Sequence, residues 1–165
     1  MEVWFWLIFF LVVIPYIIIT YNQFVSLLAQ VNGQRSNIQA SLVRRANLYE
    51  KMASIMVEGT SFEQKLQREI TQIRENGSSD LVNLERKGEQ LQGIVARLES
   101  NPDIKTIGML RDMQRDAEKT EDLIQVSKET YNALTASYNE FTRQFPSILV
   151  ALLFMFRPLP FIHAD

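Results

Sequence analysis

Apolar positions along the chain fall into three regimes. Residues Val3 to Ile19 read VWFWLIFFLVVIPYIII, seventeen positions without a charge, amide or hydroxymethyl group. As a helix that run is about 26 Å long, near the ~30 Å hydrocarbon thickness of a bilayer. From Asn22 to Phe145 the apolar residues instead recur in steps of three and four, the seam of helices packed lengthwise on neighbours. Ile148 to Phe156 (ILVALLFMF) then forms a second uninterrupted apolar run, nine residues long and too short to span a bilayer.

The middle regime resolves into segments. Phe24, Leu28, Val31, Arg35, Ile38, Leu42, Arg45, Tyr49, Met52 and Met56 share one face of a first long helix, with no break after Ile19. Gly59-Thr60-Ser61 ends it, with Ser61 and Gln64 placed as a capping box for the next segment. Phe62, Leu66, Ile70 and Ile73 carry that segment to Asn76-Gly77-Ser78-Ser79-Asp80, a turn-forming stretch. Leu81, Leu84, Gly88, Leu91, Val95 and Leu98 resume the spacing until Ser100-Asn101-Pro102-Asp103. The last segment, 107–145, keeps heptad spacing through Leu110, Met113, Ala117, Thr120, Ile124, Ser127, Tyr131, Leu134, Tyr138, Phe141 and Phe145, about 58 Å as one helix. Period-two alternation is absent from 22–145. The expected fold is all-α: an N-terminal transmembrane helix continuing into an elongated antiparallel bundle of three or four helices, the count depending on a turn at Gly77. The expected organisation is an anchor at 1–21, a bundle at 22–145 and an apolar tail at 146–165. Polar seam residues (Arg35, Arg45, Thr120, Ser127) read as register-setting positions of a coiled-coil-like bundle.

The first run reads as an anchor. A cleaved signal peptide wants a basic start and a small-residue cleavage site, but Met1-Glu2 carries no cation and Ile19-Thr20-Tyr21-Asn22 is a poor site. Trp4, Trp6, Tyr16 and Tyr21 lie towards the ends of the span, where amphipathic rings favour headgroups, and a membrane helix tolerates Pro15. The nearest cations, Arg35, Arg44, Arg45 and Lys51, all follow the span, so the positive-inside rule places the bundle in the cytoplasm and the N-terminus outside.

Charge and composition remove most chemistries. The chain has 165 residues, 17 Lys+Arg against 19 Asp+Glu, one histidine (His163) and no cysteine. Thiolate chemistry, iron–sulfur clusters and disulfides are excluded. Di-iron bundles need Glu-x-x-His pairs, and His163 has Pro160 three residues before it. Glu58, Glu63, Glu69 and Glu75 fall mostly off the seam and read as a solvated face. No base stands ready for a Ser or Thr nucleophile, and the single glycines make no phosphate loop. Charges of both signs are interspersed, as in Arg111-Asp112, Arg115-Asp116, Glu118-Lys119 and Glu121-Asp122, which excludes a nucleic-acid face and suggests an exposed, ion-paired helix surface. No catalytic residue, metal site or cofactor is called for.

Several short motifs interrupt the generic heptads. They are Tyr21-Asn22, Leu42-Val43-Arg44-Arg45-Ala46-Asn47-Leu48, Asn101-Pro102-Asp103-Ile104-Lys105, Thr120-Glu121, Tyr131-Asn132, Tyr138-Asn139 and Phe145-Pro146-Ser147. Ala151, Phe154, Phe156-Arg157-Pro158 and Pro160-Phe161 close the series. Their order and spacing behind one membrane span resemble the bacterial LemA family across nearly the whole chain. The resemblance implies a single N-terminal transmembrane helix in the cell membrane, a short external N-terminus, an antiparallel helical bundle and no established enzymatic activity. One branch of that family includes a magnetosome-associated protein. The chain departs from the family pattern at three places. Gln34-Arg35-Ser36 stands near a usual Trp, and Leu48-Tyr49-Glu50-Lys51-Met52 stands where a Leu-Ile-Pro-Asn-Leu run is usual. No His-Glu pair occurs around Glu58 to Glu63. The chain therefore resembles a divergent member.

An exposed tail of this apolarity needs a cover: the bundle's own end, the membrane interface, or a neighbouring subunit. An even number of long helices returns the tail to the membrane end; an odd number leaves it distal. The balance of these readings favours self or intersubunit packing. Leu149, Leu152, Phe154, Phe156 and Phe161 are the candidate contact residues there. Arg44 and Arg45, the adjacent basic pair of the first long helix, are candidates for a partner helix or acidic headgroups. The expected role is a non-enzymatic, membrane-anchored scaffold that self-associates; the alternative is an accessory subunit of another membrane complex. The expected partners are membrane lipids, further copies of the chain, or another membrane protein.

Overall fold

A computed structural model describes residues 2–57, 63–75, 80–100 and 108–162, and these residues form helices without strands. Five helices follow in order: α1 (Glu2–Val57), α2 (Glu63–Glu75), α3 (Leu81–Glu99), α4 (Gly108–Arg143) and a short α5 (Ser147–Leu153). The apolar run and the first seam are one continuous helix of 56 residues with Pro15 inside it. Nothing between Ile19 and Asn22 breaks it, as expected from the lack of a glycine or proline there. The expected capping box at Ser61 and the turn at Gly77 lie outside the described residues. α2 and α3 are separate helices that pack on each other, so four long helices are present among the described residues.

The seams are what the three-four spacing dictates, with instructive exceptions. Phe24, Val31, Ile38, Leu42, Arg45, Met52 and Met56 are buried on α1, and Leu110, Met113, Ala117, Thr120, Ile124, Tyr131 and Tyr138 on α4. Arg35, expected on the seam, is exposed, as is Phe145, which lies beyond the end of α4. Lys128, off the expected seam, is buried. Thr120 satisfies itself by donating its hydroxyl to the Asp116 carbonyl one turn back (2.7 Å), so a polar residue sits in the core without an orphaned group.

The chain divides into two compact units. The first comprises residues 1–35 and 128–165, the second 36–127. In the second, Ala46, Met52, Ala53, Met56 and Val57 of α1 share a core with Ile70 of α2, Leu91, Ile94, Val95 and Leu98 of α3, and Leu110 and Met113 of α4. Ion pairs close its rim: Arg97 to Glu69 at 2.7 Å and Arg74 to Glu50 at 2.5 Å. In both, the arginine is largely open to water, while Glu50 is mostly buried and Glu69 partly so; each pair contributes about 1 kcal/mol.

The first unit is built on aromatic rings. Phe24 is fully buried; Tyr138 meets it edge-on with centroids 6.1 Å apart and Phe141 lies at 4.6 Å. Beyond α4 the chain turns at Pro146 into α5. Ser147 directs its hydroxyl to the carbonyls of Phe141 (2.7 Å) and Gln144 (2.8 Å), fastening the turn to the end of α4. α5 closes by the pattern in which Phe156 N–H reaches the Ala151 carbonyl (2.9 Å) around a left-handed residue, Met155 (φ 60°).

Candidate membrane-proximal site

The tail's place follows from its aromatic residues. Phe156 stacks on Phe24, centroids 4.5 Å apart and planes 15° from parallel. It also lies 5.7 Å from Tyr21, and Phe154 lies 4.9 Å from the same ring. The tail thus packs on the chain's own α1, one to two turns past the last residue of the apolar run. A distal tail, the consequence of an odd helix count, is excluded by this stacking. Two of the candidate self-contact residues, Phe154 and Phe156, therefore have partners within their own unit. Leu149, Leu152 and Phe161 remain more than half exposed, together with Leu153 and Met155.

After Phe156 the chain runs extended along α4 and is held through its backbone. Asn139 donates to the Leu159 carbonyl (2.9 Å) and accepts from the Leu159 N–H (2.7 Å). Asn132 does the same with Ile162, at 2.7 and 2.9 Å. The Tyr131 hydroxyl donates to the Pro160 carbonyl at 3.2 Å. The spacing has a geometric cause. Two helical turns from Asn132 to Asn139 cover about 10.5 Å, and three extended residues cover about 9–10 Å. Each amide therefore meets one residue of the extended segment, and Pro158 and Pro160, which have no N–H, fall at positions where none is needed. The paired Tyr-Asn motifs, seven residues apart, were the sequence signal for this clamp; heptad analysis alone reads them as seam.

In the second unit the charged candidates separate. Arg45 is 4% exposed; its guanidinium donates to both Glu121 carboxylate oxygens (3.0 and 2.7 Å) and to the Glu85 carbonyl (3.2 Å). It joins α1, α3 and α4 instead of meeting a partner. Its neighbour Arg44 is exposed. Glu121, expected on an outward ion-paired face, stays half-exposed but reaches the buried Arg45; on the same helix Lys119 and Asp116 are paired at 3.7 Å as expected. Tyr49, beside this pair, has its phenol pushed above the ordinary value, first by burial and then by the Glu121 carboxylate, with Arg45 pulling the other way.

Of the candidate anchor residues, Trp4, Trp6, Pro15 and Tyr21 are exposed, and Tyr16 is half-buried. Trp6 makes ring contacts with Phe9 (6.0 Å) and Phe10 (6.3 Å). Leu7, Leu11, Val12, Ile14 and Ile18 also point outward. The start of α1 is long and apolar enough to cross a membrane, and little of it is buried.

Open hollows on the surface of the described residues include two of similar size. One, of about 550 Å³, is lined by Ala136, Asn139, Glu140, Arg143, Gln144 and Phe161; the other, of about 470 Å³, lies between α2 and α3. Neither gathers an acid, a base and a nucleophile. Among the described residues no three or more His, Asp or Glu side chains converge as a metal site, and His163 lies outside them.

A chain whose described residues are helical, with a largely uncovered apolar stretch at the start of α1, is a helical-bundle protein. The chain belongs to the LemA family, whose model matches residues 34–165. No curated protein and no solved structure matches it.

Proposed function

We propose that this protein is a non-enzymatic, membrane-anchored helical scaffold that associates with further copies of itself. The observation that carries the reading is the contrast between its two kinds of surface. The described outward-facing side chains between Trp4 and Ile19 are apolar or aromatic, which suits lipid. Among the buried polar residues of the bundle, Arg45 bridges helices, Thr120 bonds within its own helix and Ser147 fastens the turn after α4, so all three are engaged within the fold. LemA proteins are not known as enzymes, and membership in the family supports a membrane location. Arg143 and Arg157, both exposed, add cations on the bundle side of the span, in keeping with a cytoplasmic bundle. Leu123 and Val126, exposed one turn apart on α4, offer a lateral contact between bundles, and Arg44 on α1 is a separate exposed candidate contact.

Extraction from native membranes in mild detergent tests this reading. Light scattering behind size exclusion gives the mass, and proteomics of the same peak gives its composition. A uniform peak of this chain alone, several times the 19.2 kDa of one copy, is the expected result. A fixed ratio with a different membrane protein would make the chain an accessory subunit and replace the scaffold reading.

A further inference from the structure

The exposed apolar rim of α5 has one neighbour that matches it. Leu149, Leu152, Leu153 and Met155 are 59%, 72%, 64% and 79% exposed, and no charged residue lies between Arg143 and Arg157. Through Phe154 and Phe156 this rim is packed against Tyr21 and Phe24. Ile19, the last residue of the apolar run, precedes Phe24 by five residues, about 7.5 Å along a helix. The layer between hydrocarbon and water is itself about 5–8 Å thick on each side. With the apolar run taken as the span, the Phe154–Phe156 end of this rim lies at the level of the headgroups, on the side of the bundle.

We infer that α5 and the turn after it form a second membrane contact: a wedge whose Leu149, Leu152, Leu153 and Met155 side chains enter the acyl layer beside the anchor. This rests on α1 being the membrane span.

Four further observations fit a lipid occupant. Four N–H groups at the two ends of the wedge are satisfied internally, as lipid favours. Ile148 N–H donates to Gln144 O (2.8 Å), Leu149 to Pro146 O (3.2 Å), Phe154 to Val150 O (3.0 Å) and Phe156 to Ala151 O (2.9 Å). It is pinned at both ends, by Ser147 on α4 and by the Asn139 clamp on Leu159, so it cannot fold its rim inward. Met155 holds the left-handed position that closes α5, where glycine is the usual residue, and displays its side chain almost wholly outward. A side chain retained at that conformational cost, at the most exposed point of the rim, is explained by a contact outside the chain. Arg143 and Arg157, exposed on either flank, suit phosphate headgroups at the edge of such a wedge.

The test uses the full-length chain in phosphatidylethanolamine–phosphatidylglycerol vesicles. Trp4→Phe and Trp6→Phe remove the native indoles, and Leu152→Trp or, separately, Leu153→Trp places one on the rim. Both positions face outward, so either substitution leaves the core untouched. The expected result is quenching by lipids brominated near the headgroup to the extent seen for native Trp4 and Trp6, with protection from a water-soluble quencher. Quenching from water alone would overturn the wedge. Protection from both quenchers would also overturn it, because a second copy would then cover the rim. Native Trp4 and Trp6 provide the control: if brominated lipid fails to quench them, the anchor reading itself falls. If they are quenched and the rim indoles are not, only the wedge falls.

Discussion

Gly88 of α3 and Arg45 of α1 fit each other like a notch and a peg: a Cβ on Gly88 would stand 2.8 Å from Arg45 Nε and 2.9 Å from Nη2. The guanidinium cannot retreat cheaply, because both its terminal nitrogens are engaged, one by Glu121 and the other by the Glu85 carbonyl. Gly33 and Gly93, also in helices, have open space where a Cβ would stand.

This contrast gives the first prediction. Alanine gains about 1 kcal/mol over glycine in a helix interior. Gly93→Ala and Gly33→Ala should each stabilise by about that amount. At Gly88 the same gain is outweighed by displacing a buried ion pair, discounted because Glu121 is half open to water, and a net loss of about 1–2 kcal/mol is expected. Denaturant unfolding of the three variants checks the sign at each position.

The clamp on the tail makes a prediction resolved by residue. A neutral hydrogen bond contributes about 1 kcal/mol net, so Asn139→Ala and Asn132→Ala should each weaken the tail's attachment by about 2 kcal/mol. In hydrogen exchange, Asn139→Ala should deprotect the Leu159 amide first, and Asn132→Ala the Ile162 amide. Equal loss at both amides from either variant would mean that the two contacts are not independent.

The stacked ring should matter more than the exposed rim for folding. Phe156→Ala removes the contact with Phe24 and Tyr21, and a loss of about 2–3 kcal/mol is expected, below the full value for a completely buried phenylalanine. Leu152→Ala should change stability in detergent by less than about 0.5 kcal/mol. Parallel thermal unfolding of the two variants separates these roles.

Met155→Gly relieves a left-handed conformation that costs a residue with a side chain about 1 kcal/mol. The variant should be more stable in detergent by about that much, yet show weaker quenching of a neighbouring Leu152→Trp indole by brominated lipid.

Alkaline pH should unfold the protein through its buried phenols. Tyr49 and Tyr138 both have folded-state pKa values raised above the ordinary 10.0, each chiefly by burial. Below pH 10 both states hold the phenolic proton and the stability is fully present. Above it the unfolded chain ionises first, so stability falls as pH rises towards and through the raised values. Tyr49→Phe and Tyr138→Phe should each flatten the decline above pH 10 in a pH series of urea midpoints.

Much of the architecture is written in spacing. The three-four pattern located the seams of α1, α3 and α4 because helix burial depends on a local period that tertiary contacts only reinforce. It failed at Arg35 and Lys128, since periodicity marks a stripe without saying which partner covers each point of it. The breaks near Gly59 and at Ser100 were legible because glycine, proline and short polar residues act on the backbone locally. The clamp was only half legible. Tyr131-Asn132 and Tyr138-Asn139 stood out as a repeated pair, but an asparagine carries no sign of which backbone it will meet.

The sequence by itself determined the apolar opening run, the helical class and the lack of cysteine or paired histidine chemistry, since each depends on residue type and local period. The three-dimensional structure decided what lies far apart in the chain and close in space. Arg45 found Glu121 and the notch at Gly88, and Phe156 found Phe24. The tail came back to the residues that follow the apolar run. Those pairings depend on helix count, direction and register, which are set by the packing of the whole fold and by no local pattern.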